Sequence, residues 1–100
     1  MNKPTIKEII NRYINQILVH SYLYERCNVS IISDYEWDIR AKRLVELIKN
    51  NREIASTLPY YNQFKDWTGD TASTFVFDNT IICRAKLCYF CHYGRKLSEN

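Results

Sequence analysis

Four cysteines and two histidines are the side chains of this 100-residue chain with the strongest intrinsic chemistry. Cys83, Cys88, Cys91 and His92 fall within one ten-residue window, and thiolate with imidazole is the usual ligand set of structural zinc. On a helix, residues three or four apart share a face, so Cys88 can pair with Cys91 or with His92. Cys83 is turned away from Cys88 by about 140°, so one helix cannot complete a tetrahedral set. The missing ligand must come from another element. Cys27, with His20 two turns before it, is the evident donor. The expectation is one closed zinc site of Cys27, Cys88, Cys91 and His92 tying the first helix to the last. The competing expectation is that the cysteines are small apolar fillers of helix contacts. A redox role for the C-x-x-C has no strand and turn before Cys88 to support it.

Catalytic constellations are absent from the pattern. His20 and His92 have no Ser or Cys partner at a recognisable spacing. Two glycines cannot build a phosphate-cradling loop. Asp34 and Asp38 stand one helical turn apart, but nothing else in the chain points to hydrolysis. The chain reads as a non-enzyme. Its net charge of +3 falls short of the dense basic clusters of a nucleic-acid binder, which argues against direct nucleic-acid binding. No apolar run approaches the roughly 20 residues that span a bilayer, and MNKPTIKEIINRY lacks the apolar core of a signal peptide. A cytoplasmic protein with no membrane role is expected, its thiols reduced.

The elements that must position these groups are legible as helices. Hydrophobic residues make up 46% of the chain and aromatics 14%, with eight tyrosines, which excludes disorder and fits a single domain over 1–100. Thr5-Ile6-Lys7-Glu8 has the form of a capping box. Ile6, Ile9, Ile10, Tyr13, Ile14, Ile17 and Leu18 then recur at helical spacing, predicting an amphipathic helix to about Glu25. Ser33-Asp34-Tyr35-Glu36 is a second capping box. It opens a helix with Trp37, Ala41, Leu44, Val45 and Ile48 on its apolar side, stopped at Asn50-Asn51. A short helix from Ile54 to Tyr61 is expected, interrupted at Pro59, followed by a turn at Thr68–Ser73. Phe75-Val76-Phe77 reads as a brief extended piece. Asp78, Asn79 or Thr80 then caps a last helix, about 79–93, that stops at Gly94. The fold class is all-α: two long capped helices form a hairpin, about 5–50, with a C-terminal helix packed on it.

The bend of that hairpin, SYLYERCNVSIISDYEWD, carries more tyrosine and aspartate than a loop requires. Tyr22-Leu23-Tyr24, a short loop, Ile32-Ser33-Asp34-Tyr35-Glu36-Trp37-Asp38 and then Leu44-Val45-Glu46-Leu47 together resemble the N-terminal Ia domain of NAD-dependent bacterial DNA ligases. The resemblance covers about residues 10–50. It implies a helical hairpin gripping the nicotinamide mononucleotide half of NAD, with Tyr24, Asp34 and Asp38 as nucleotide contacts. Glu25 stands where the family usually has His, and Trp37 where it has Tyr. The adenylating Lys-x-Asp-Gly motif does not occur; Lys65-Asp66-Trp67-Thr68-Gly69 has the wrong spacing. Ligase activity is therefore excluded. The same residues also have a purely structural reading: Ser33 and Glu36 as caps, Asp34 and Asp38 as partners of the helix dipole, Trp37 as core.

Stand-alone hairpins of this kind look like the small ligase-related proteins of phages and mobile elements. The resemblance therefore implies a non-catalytic binding protein that inhibits a host defence protein, foremost a Cas9-type CRISPR nuclease blocked from loading nucleic acid. Arg40, Arg43, Tyr60, Tyr61 and Trp67 are the expected partner-binding anchors, since aromatic and Arg side chains dominate interface energetics. The alternative is a module that binds NAD or nicotinamide mononucleotide.

Overall fold

A computed structural model describes residues 3–97 of the chain. Among these residues the fold is all-α with no strand, as expected. Thr5 is extended, and its Oγ1 accepts the Glu8 N–H at 3.1 Å, which starts α1, Ile6–Cys27. The helix stops where Asn28 turns left-handed, at φ 56°, a conformation Asn tolerates better than most residues. Helix α2, Asp34–Asn50, starts in the same way, with the Glu36 N–H donating to Ser33 Oγ at 3.1 Å. Its buried residues Ala41, Leu44 and Ile48 follow the helical repeat.

The α1–α2 hairpin is antiparallel. The Trp37 indole N–H donates to Ser21 Oγ at 3.2 Å, and Arg40 reaches Gln16 at 3.4 Å. Two single-turn helices follow, α3, Arg52–Ala55, and α4, Tyr61–Phe64. The expected helix from Ile54 to Tyr61 is thus split: the first turn ends before Pro59, and Tyr60 adopts a left-handed φ of 71° before the second begins. The expected extended piece Phe75–Phe77 has no regular structure. Its aromatic rings serve the core instead, Phe75 lying 5.0 Å from Phe64 and 5.2 Å from Trp67 between ring centroids.

Asp78 caps helix α5, Asn79–Tyr93, by accepting the Ile81 N–H at 2.9 Å, and left-handed Gly94 closes it with its N–H on the Phe90 carbonyl. Helix α5 runs antiparallel to α1. Phe77, just before α5, meets Tyr22 edge-on at 5.4 Å and lies under Arg26, while Arg84 one turn into the helix bonds Asn15. Helix α1 is therefore the central element. Ile10, Ile14 and Ile17 are fully buried, and so is Leu23, with Val19 nearly so on the roughly opposite side. A helix buried on one stripe was expected; α5 and the segment leading into it cover a second. No helix among the described residues is long and apolar enough to cross a membrane.

Candidate functional site

At the bend between α1 and α2 the chain encloses a pocket of about 430 Å³. Three stretches distant in sequence build it. The last turns of α1 contribute His20, Ser21, Tyr24 and Glu25, where His20 and Tyr24 share a face at one helical turn. The first turn of α2 contributes Asp34, Trp37 and Asp38 by the same spacing, and the connecting loop adds Val29 to Ile32. Asp70, Thr71 and Ala72 close the remaining side.

The geometry is held from behind. Ser21 is buried and accepts the Trp37 indole N–H, so the floor of the pocket fixes the orientation of its largest wall. Trp67 stands edge-on to Trp37 with centroids 6.0 Å apart, and donates its own N–H to the Thr71 carbonyl at 2.7 Å. That bond pins the closing loop to the aromatic cluster. Lys42 on α2 secures the same loop by pairing with the Asp70 carboxylate and donating to the Gly69 carbonyl at 3.3 Å. Gly69 is buried at φ +83°, and a Cβ there would come within 3.1 Å of Val45 Cγ2. Only glycine lets the loop lie this close to α2 without strain.

The electrostatics are one-sided. Glu25, Asp34, Asp38 and Asp70 line the pocket, and neither Lys nor Arg does. The hydrogen bond from Lys42 holds the Asp70 carboxyl below the usual carboxylate range, helped by Thr68 and by the Lys42 charge. His20 is pushed below its ordinary 6.5, first by burial and then by the charge of Arg40, against a weaker pull from Glu36. It is neutral at pH 7. Its Nδ1 is buried and has no hydrogen-bond partner among the described residues.

The structure brings Tyr24, Asp34 and Asp38 to one pocket. The expected partner anchors are scattered by comparison. Arg43 is exposed, but Arg40, Tyr60, Tyr61 and Trp67 are half-buried against the fold. Arg40 is held by Gln16 and Glu36, Tyr60 donates its hydroxyl to the Asp78 carboxylate at 2.8 Å, and Trp67 belongs to the aromatic cluster.

The expected metal set is not assembled. Among the described residues no group of three His, Cys, Asp or Glu side chains is placed to hold an ion. The reason is direction. Because α5 is antiparallel to α1, the Arg84–Asn15 level lies twelve residues before Cys27, and Cys88 lies a further turn beyond it. At 1.5 Å per residue this separates Cys27 from Cys88 by roughly 20 Å or more along the bundle. Cys88 and Cys91 do remain neighbours; burial, then the nearby Cys91, pushes the Cys88 thiol up.

Sequence reasoning missed Asp70, Thr71 and Ala72 as pocket residues. Their signal is faint: a glycine two residues past a tryptophan, followed by an acid with a lysine available 28 positions earlier. What the fold and pocket define is a small helical domain with an acidic, aromatic-walled recess at its hairpin bend. No family model matches this chain, and neither a curated protein nor a solved structure matches it.

Proposed function

We propose that this chain is a non-catalytic binding module whose working site is the pocket at the α1–α2 bend, and that its ligand is a nicotinamide nucleoside or nucleotide of the kind found in NAD. One observation carries the reading: Tyr24, Asp34 and Asp38, separated by up to 14 positions in the sequence, line a single recess with Trp37 between the two acids. Its volume is in the range of small-molecule sites. Aromatic walls suit a flat ring, and carboxylates accept hydrogen bonds from ribose hydroxyls. The resemblance to the ligase Ia domain points to the same ligand class. Titration calorimetry with nicotinamide mononucleotide, its riboside and NAD tests the reading. Heat of binding that weakens by about tenfold, ~1.4 kcal/mol, in Asp34→Ala and Asp38→Ala is the expected result. No heat from any of the three at millimolar concentration refutes it.

A second reading rests on a different feature. Asp34, Glu36 and Asp38 are all exposed at the start of α2, and Tyr35 between them is 75% exposed. An acidic face with an aromatic at its centre is complementary to a basic groove that normally holds nucleic acid. On this reading the chain is a phage or mobile-element protein that occupies such a groove on a host defence protein, a Cas9-type nuclease foremost. Pre-mixing with the nuclease is expected to suppress DNA cleavage, and Tyr35→Ala with Glu36→Lys to restore it. Full cleavage with a molar excess of the unaltered protein removes this reading.

A further inference from the structure

The charge of the pocket carries a consequence for which ligand it accepts. Four carboxylates lie on its wall, and no Lys or Arg lines it. The imidazole of His20, on the same wall, contributes no positive charge at neutral pH because burial keeps it unprotonated. Lys42 is paired with Asp70, which cancels that carboxylate's charge, and Arg40 is held by Glu36 and Gln16, so Glu25, Asp34 and Asp38 set the field of the pocket. A helix N-terminus ordinarily favours anions. At α2, however, the Glu36 N–H is occupied by Ser33 Oγ, Asp34 and Glu36 stand in the first turn, and Asp38 follows just after it. A phosphate entering here finds exposed carboxylates where it needs donors, and like charges at close range repel, the more so at low salt. A cationic ring meets the opposite field, with Tyr24, about half exposed, available as a π-face beside it.

We propose that the pocket selects its ligand by charge: it takes a flat, hydroxyl-bearing organic cation, of which a pyridinium nucleoside is the fitting class, and rejects the same molecule once it carries a phosphate. This rests on the small-molecule reading of the pocket given above and reverses the preference that the ligase resemblance implies. Glu25, in the place of a basic residue, and Asp38, on the facing helix α2, are the groups that set the selectivity.

Calorimetry at low ionic strength with three probes tests it: nicotinamide riboside, nicotinamide mononucleotide and uncharged nicotinamide. The riboside is expected to bind about tenfold or more tightly than the mononucleotide, ~1.4 kcal/mol per factor of ten, and more tightly than nicotinamide. The preference is expected to shrink as salt is added. Glu25→Gln and Asp38→Asn keep hydrogen-bonding capacity while removing charge, so in the double variant the two ligands should converge, with circular dichroism confirming an unchanged helical content. Equal or tighter binding of the mononucleotide overturns the charge selection while leaving the pocket a binding site. Silence from all three probes overturns both.

Discussion

His20 concentrates the cost of building a pocket inside so small a domain. Its Nδ1 is buried without a partner among the described residues, and burial with Arg40 nearby depresses its pKa below 6.5. A base that stays neutral in the fold but protonates when unfolded is stabilising above its unfolded pKa. As pH falls through 6.5 the unfolded chain gains a proton that the folded chain refuses, so stability is lost until the lowered folded pKa is reached. The thermal midpoint is therefore expected to fall in this window, and His20→Leu to flatten that part of the profile. A midpoint that declines with the same slope in both proteins would assign the acid sensitivity to other groups. Nothing in the spacing around His20 distinguishes this role from that of a metal ligand. Its burial depends on α2 crossing at Arg40, a contact 20 residues away in the chain.

At the scale of elements, what is local was readable and what is long-range was not. Thr5 and Ser33 each cap a helix through an N–H three residues on, and that geometry is contained in a four-residue word. The same locality offered Asp78, Asn79 or Thr80 as the cap of α5, of which Asp78 is the one used, and placed Gly94 at its end. The direction of α5 is a different matter, because a repeat of apolar residues fixes which face is buried but not which way the helix runs. For that reason Cys27 is not brought to Cys88, Cys91 and His92 among the described residues. The closing loop 68–72 was equally hidden, since Lys42 and Trp67, from outside it, hold it in place. Gly69 is its weak point. Gly69→Ala places a Cβ against Val45 at a φ that L-residues avoid, at a cost of about 1–2 kcal/mol. Chemical denaturation should register that loss, and ligand binding should weaken with it as Asp70 and Thr71 move. A fully stable variant with unaltered binding would mean that the loop does not depend on this close approach.

On the scale of the whole molecule, the hairpin that makes the pocket is expected not to fold on its own. Helix α1 uses Ser21 and Gln16 toward α2, but Asn15, Tyr22 and Arg26 toward α5 and the segment before it. Val19 and Leu23, on the side away from Ile10, are buried as well. Trp37 likewise depends on Trp67, and Trp67 on Phe64 and Phe75. A fragment of residues 1–51 keeps both capping boxes and every residue of the ligase-like pattern, yet exposes this second apolar side. Short helices without tertiary packing are marginal in water, so the fragment is expected to show much weaker helical dichroism and a broad, non-cooperative melt. The full chain should melt in one transition. A sharp melt and full helicity in the fragment would mean that the bend is self-sufficient and that α5 and the aromatic cluster only decorate it. The fragment should also lose the pocket's ligand, because Asp70 to Ala72 arrive from outside it. In this chain the pocket belongs to the domain rather than to the motif that points to it.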